Sequence, residues 1–493
     1  MQQPTPQAIT DFLADAQAAA KVISETVNHD GFIHVFSHLD ADGIAAAGVI
    51  GKALCRLDAR FRIRITQWVD DKIISEITAD RPELVIFSDF GSGYIDLLNE
   101  KIPNTKVVIL DHHQITSSAE NPNFTQVNPH LHGMDGATDV SGSGVAYFAA
   151  RALNPRNVDL SPIALVGALG DMQDRDEQRK LGGLNSLIVE DAVKARLLLV
   201  EKDLMFFGRE TRPLYKALAT TTNPFLPGLS GKEDESLAFL STLRIPLKEG
   251  DRLRALRDLT DEERRRLCSA LADHLLSKGL HYEVTNLIGH IYIFPTEEPW
   301  TPLRDAREFA VVLNSTGRMD RPSLGIALGV GDRKAALEEA NSVLEDYRRN
   351  INKYLNWVWE KPERLRELQY IYVVNGEDFV SEKIIGTISG ILITSLPDAD
   401  KPLIAYANVP GEGLAKISGR SSELQVRNGI NLGQVMRQAA EPLGGKGGGH
   451  NIAAGGQVSL DKIEEFVNAA NELVGKQLRG EGNAASNNQA RIS

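Results

Sequence analysis

Four short stretches carry most of the chemistry open to this chain: "HLDADG" (38–43), "SDFG" (88–91), "DHH" (111–113) and "GALGD" (167–171). Each sets acids, alone or beside imidazoles, directly behind an aliphatic run. Asp40 and Asp42 follow "FIHVFSH", Asp89 closes "ELVIFSD", Asp111 closes "KVVILD" and Asp171 closes "PIALVGALGD". A single acid in such a place is more often a helix cap or turn former. Several acids meeting at one edge need a shared reason, because close like charges in a partly buried site cost on the order of several kcal/mol. Divalent cations supply the counter-charge. Carboxylates with a minority of imidazoles and no thiolate suit Mn²⁺ or Mg²⁺ better than a structural Zn²⁺ site. The five acids, with His38 and one of His112 and His113, supply the roughly six ligands needed by two ions sharing a bridging carboxylate, an arrangement suited to in-line attack on phosphorus.

Spacing refines this picture. In extended backbone residues two apart face the same way, which groups His38, Asp40 and Asp42, and Gly43 then lets the chain turn into the helix suggested by "IAAAGVIGKAL". His112 and His113 are adjacent and cannot both face one point from extended backbone, so one suits a metal and the other a substrate.

A second motif, "GGKGGGHNIAAGG" (444–456), holds Gly447, Gly448, Gly449 and His450. It reads either as a flexible linker or as a nest whose N–H groups meet an anion. Arg420, in "SGRSSE", offers a planar fork for phosphate, although a lone Arg is usually a surface residue.

These residues need elements to position them. Val- and Ile-rich runs at 32–38, 61–68, 83–89, 106–113 and 162–171 alternate with helix-like segments, the pattern of a parallel sheet covered by crossover helices. The last run also fits a helix ending at Gly170. In such a sheet the strand ends lie along one edge, where open α/β folds bind ligands. The expected fold class is therefore α/β. Residues 1–195 form a parallel-sheet domain, 196–229 a linker helix, 230–375 a mainly helical insert and 376–475 a second α/β domain. Within the insert, a long amphipathic helix is expected at 333–359. In the second domain, strands are expected at 401–409 and 415–423, and 476–493 is expected to be a disordered tail.

Bulk properties exclude several classes. A net charge of −12 argues against coating nucleic acid with a broadly basic surface, though not against a local groove or metal-held substrate. Cys55 and Cys268 are too few and too far apart for a disulfide framework, which suits a cytoplasmic protein. The N-terminal residues lack the pattern of a signal peptide, and no stretch is apolar for long enough to span a membrane.

Taken together, the motifs resemble the DHH phosphoesterase superfamily, in family order, with "GRSS" (419–422) and "GGGHNIAAGG" (447–456) matching its associated C-terminal domain. "FGRETRPL" (207–214) and "REFAVVLNSTGRM" (307–319) resemble the archaeal RecJ-like branch, of the GINS-associated nuclease type. The resemblance implies one ion held by His38, Asp40 and Asp89, and another by Asp42, Asp89, His112 and Asp171, with Asp89 bridging. It further implies that His113 contacts the scissile phosphate or assists the leaving oxygen, and that Asp111 orients a ligand imidazole. Arg420, Ser421, Gly447, Gly448, Gly449 and His450 would hold substrate phosphates across a cleft between the two α/β domains. The expected activity is a metal-dependent single-strand exonuclease on DNA, with RNA a second substrate, in replication or repair. The alternatives are a scaffold joining GINS and the MCM helicase, and a hydrolase of short oligonucleotides. Scaffold members of the superfamily have often lost these ligands, whereas no core motif position departs from the pattern here.

Overall fold

The computed structural model describes residues 4–115, 120–176, 178–221, 224–396 and 400–480. The chain divides into two compact units, 1–344 and 345–493. Among the described residues no helix is long and apolar enough to cross a membrane.

The first unit begins with α1 (Pro6–Asn28), β1 (Phe32–Ser37), α2 (Ala41–Arg56), β2 (Arg60–Ile65), α3 (Asp71–Asp80), β3 (Leu84–Ser88) and α4 (Ile95–Lys101). β4 (Lys106–Leu110), β5 (Phe124–Val127), α5 (Gly142–Leu153) and α6 (Ser161–Gly170) follow. The strands form one parallel sheet in the order β2-β1-β3-β4-β5. Alternate residues of each central strand enter different cores, as a sheet covered on both faces requires. Ile33, Val35, Leu84, Ile86, Val108 and Leu110 pack with α1, α2, α5 and α6. Phe36, Val85, Phe87, Val107 and Ile109 pack with α3 and α4.

The chain leaves β1 for β2 on one side and later returns to β3 on the other. The order therefore reverses between β1 and β3, and the loops after these two strands flank the crevice where such sheets bind ligands. Those loops are "HLDAD" and "DFG". Of the two readings of the run 162–171, the helix ending at Gly170 is the one present, as α6, and the fifth strand is the short "FTQV" of β5, which was not expected.

The expected insert 230–375 does not behave as one body. Leu204–Leu287 contribute a separate apolar cluster that includes Leu218, Leu240, Leu256, Leu267 and Leu271. Phe309, Leu313, Leu328, Ala340 and Leu344 instead belong to the core of the parallel sheet. The division between units falls inside the long helix Ala335–Glu360, which occupies nearly the expected span.

The second unit has a six-stranded sheet in the order Leu365–Glu367, Tyr372–Asn375, Leu403–Val409, Leu414–Arg420, Ala453–Ser459 and Lys446–Gly449. The expected strands at 401–409 and 415–423 correspond to the third and fourth of these. The last helix runs Ile463–Leu478, so the expected tail does not begin at 476, and 481–493 lie outside the described residues.

Candidate metal centre

β1, β3 and β4 and the C-terminus of α6 deliver their acids and imidazoles to one place. His38 Nδ1 lies 2.8 Å from Asp40 Oδ2 and 3.8 Å from Asp89 Oδ2. His112 Nε2 lies 3.3 Å from Asp89 Oδ1, 3.3 Å from Asp171 Oδ2 and 3.8 Å from Asp42 Oδ2. Oxygen and nitrogen ligands at about 2.1 Å from one octahedral ion sit roughly 3 Å apart at adjacent positions, so these spacings suit a shared coordination sphere. Two sets emerge, His38–Asp40–Asp89 and Asp42–His112–Asp171, with Asp89 reaching both; His113 also groups with Asp89 and His112.

The local structure explains each placement. Asp40 is the N-cap of α2, its Oδ1 accepting from Gly43 N at 3.1 Å, and Asp42 sits in the first helical turn. The helix thus starts earlier than extended spacing implied, and Asp42 reaches the cluster from helical backbone. Its two oxygens accept from Gly142 N (2.6 Å) and Ser143 N (3.0 Å), so the positive end of α5 faces this buried carboxylate. Asp89 adopts φ of +65°, a left-handed conformation that costs energy for a non-glycine residue and that clusters at functional sites.

Glycines clear the space. A Cβ on Gly142 would stand 2.3 Å from Asp89 Oδ1, one on Gly167 2.3 Å from Asp42 Oδ1, and one on Gly43 2.4 Å from His38 O.

The two adjacent histidines separate cleanly. His112 is fully buried, and its Nδ1 lies 2.6 Å from the carbonyl oxygen of Gly136. A carbonyl can only accept, so Nδ1 carries a proton, which makes Nε2, on the side of the acids, the ring atom that would ligate an ion. Gln173 Nε2 donates to the same carbonyl at 2.8 Å, and Asn185 Nδ2 donates to Gln173 Oε1 at 2.7 Å.

Asp111 was expected to orient the metal-binding imidazole. It instead receives His113 Nδ1 at 2.9 Å, together with the backbone N–H groups of His112, His113 and Ser92. The ring of His112 is oriented by Gly136. The sequence reading missed Gly136, Gly142, Ser143 and Gln173, and gave no role to Gly167 within "GALGD"; the signal for α5 was "SGSG" (141–144) ahead of an apolar helix.

Electrostatics marks the cluster as incomplete without cations. Asp89 is pushed well above the usual carboxylate range, first by burial and then by Asp42, Asp40 and Asp171. Asp171 is raised by burial and Asp42. Burial would also raise Asp40 and Asp111, but His38 and His113 respectively hold them below the usual range. Asp89 Oδ1 is buried without a hydrogen-bond donor among the described residues, an acceptor left for a cation. The residues present therefore fit divalent ions.

In the second unit, Arg420 ends its strand opposite Ala453, with Nη2 on Gly386 O (3.1 Å) and Nη1 on Gly419 O (2.9 Å). Ser421 N donates to Ile452 O at 2.9 Å, and His450 N to Ala453 O at 2.9 Å. Arg420 and Ser421 thus lie beside the turn that carries His450. Gly447–Gly449 form an edge strand paired with Ala454–Gly456. A Cβ on Gly447 would stand 2.2 Å from Met436 O, and one on Gly433 2.3 Å from Gly449 O, so close packing of helix and strand explains the absence of side chains at these two positions.

Known proteins share this arrangement of domains. Residues 32–169 match the DHH family N-terminal domain, 206–288 the DHH-CID domain and 367–476 the DHHA1 domain. The uncharacterized protein MJ0831 of Methanocaldococcus jannaschii is 32% identical over 473 residues, spanning 95% of this chain and 99% of that one. The chain belongs to the DHH family. Among solved DHH-type folds, manganese-bound RecJ of Thermus thermophilus superimposes with a TM-score of 0.57 at 17% identity, over 94% of this chain and 55% of that one. CDC45 of Entamoeba histolytica gives 0.64 at 12% identity, over 93% and 99%. A manganese-bound exonuclease RecJ gives 0.54 at 18% identity, over 94% and 96%. These likenesses establish a shared RecJ-like fold.

Proposed function

We propose that this DHH-family chain is a metal-dependent phosphodiesterase of the RecJ-like type, an exonuclease that shortens single-stranded DNA, and RNA as a second substrate. The observation carrying the proposal is Asp89: buried, in left-handed backbone, with one oxygen lacking a donor and lying between two acid–imidazole sets.

His38, Asp40 and Asp89 would hold one ion, and Asp42, Asp89, His112 and Asp171 another, with Mn²⁺ preferred and Mg²⁺ an alternative. When bound, such ions supply charge to a phosphate and lower the pKa of water toward neutrality. The chain's own groups do the rest. Gly136 fixes the His112 tautomer, and α5 fixes Asp42. Asp111 accepts from His113 Nδ1, so the Nε2 edge of that half-exposed ring is the one assigned to the scissile phosphate. Arg420, Ser421 and His450 are assigned to further substrate phosphates, Arg420 as a planar donor.

Digestion of end-labelled DNA and RNA single strands with Mn²⁺ and with Mg²⁺ tests the reading. It predicts a ladder of shortened strands that requires the ion, and undiminished hydrolysis in chelator would refute it. A scaffold role beside GINS and the MCM helicase draws support from the fold shared with CDC45. Its test is capture of GINS by the full chain and by Asp42→Ala, which a scaffold role leaves equal.

A further inference from the structure

His34 lies on β1 four residues before His38, on the face of the sheet covered by α3. It is fully buried, and neither of its ring nitrogens makes a hydrogen bond among the described residues. Glu76 and Asp80, four apart on α3 and so on one side of that helix, approach it from above: His34 Nε2 is 3.5 Å from Glu76 Oε1 and Nδ1 is 3.3 Å from Asp80 Oδ2. Arg62, the neighbour of His34 across β2, pairs with both acids, and Arg64 lies 3.9 Å from Glu76.

Burial and then Arg62 hold the imidazole below its ordinary range, so the ring is neutral at neutral pH. A neutral ring has one N–H and one lone pair. Whichever nitrogen carries the lone pair therefore faces a carboxylate oxygen, acceptor to acceptor. Two such atoms repel unless a proton or a metal cation lies between them. Only one ring nitrogen can bind a given ion, and one ligand atom from each of His34, Glu76 and Asp80 lies within 4.8 Å of the other two, a spread that an ion with bonds of about 2.1 Å can draw together.

We propose that His34, Glu76 and Asp80 form a second divalent-cation site, separate from the strand-end centre, for a borderline ion such as Zn²⁺. One imidazole with two carboxylates is a donor set such an ion accepts, with water completing the sphere. The Arg62 and Arg64 side chains are about half exposed and can swing into solvent as the ion replaces their charge. The ion would tie α3 to β1 beside the strand that leads to Asp89.

The test is metal content. The full chain is equilibrated with Zn²⁺, freed of loose ion and analysed, alongside His34→Phe, Glu76→Gln and Asp80→Asn. Glu76→Gln is close in shape and half-buried, so it guards against loss of fold in His34→Phe. The expected result is about one equivalent fewer bound ion in each folded variant, with a smaller Zn²⁺-induced rise in Tm. Equal ion content and equal Tm shift in parent and Glu76→Gln would overturn the site. Because the readout is a difference between variants, it stands whether or not the strand-end cluster binds ions.

Discussion

Two regions of this molecule use glycine for different ends. The strand-end cluster and the glycine-rich edge both set glycines close to polar groups. At the cluster, glycines make room for charge: Gly142, Gly167 and Gly43 stand where a Cβ would strike Asp89, Asp42 or the His38 backbone. At the edge, Gly447 and Gly433 make room for backbone, letting a strand and a helix pack closely. Glycine content alone therefore does not signal a ligand. Glycine beside buried acids that lack counter-charge does.

The strongest way to break this contrast is to remove charge at the cluster. Asp89→Asn should lower Mn²⁺-dependent hydrolysis by about a thousandfold or more yet stabilise the metal-free fold. Asp89 holds its proton to higher pH in the folded than in the unfolded chain, so its ionisation costs stability. That cost is absent below the ordinary carboxylate range, grows as pH rises through it and is complete above the raised folded value. The Tm advantage of Asp89→Asn over the parent in chelator should accordingly widen from acid to neutral pH. A lower Tm at neutral pH would mean that Asp89 is a structural acid.

Crowding the cluster comes next. Gly142→Ala places a methyl against Asp89 and should cost about 2 kcal/mol of stability or distort the site instead, seen as a fall in Tm or in Mn²⁺ affinity. Gln173→Leu removes the donor that shares the Gly136 carbonyl with His112 and should weaken Mn²⁺ binding by about tenfold, measured by titration calorimetry. Unchanged affinity would assign Gln173 to packing alone.

Much of this was legible beforehand because strand-end acids depend on local order: an aliphatic run fixes a buried strand, and the residue after it must emerge at the edge. The resemblance then proposed a role for each residue. What escaped depended on contacts distant in sequence. Nothing near His112 points to Gly136, 24 residues away, and nothing near Asp42 points to Gly142, 100 residues away. Asp111 was given the wrong imidazole because two adjacent rings differ only in which partner each meets. The insert was read as one body because charged helices look alike whether their apolar stripe closes its own cluster, as Leu267 and Leu271 do, or joins another core, as Phe309 and Leu313 do.

The glycine-rich edge offers the smaller effects that sharpen the comparison. Arg420→Ala should raise KM for single strands by about 10- to 100-fold, the worth of a charge-assisted phosphate contact, with kcat and bound Mn²⁺ unchanged. Gly448→Ala is the finest probe. Gly448 lies in the strand paired with Gly455, and an added Cβ there would meet nothing within 4 Å, so the fold should tolerate it to within about 0.5 kcal/mol. If the edge glycines serve packing only, kcat/KM also stays at the parent value, since Gly448 clashes with no backbone as Gly447 would. If a substrate phosphate approaches this strand as the resemblance implied, the methyl occupies that open space and KM rises while Tm does not. A change in KM at constant Tm would restore a ligand role to the glycine run, and its absence would leave Arg420, Ser421 and His450 as the second unit's contribution.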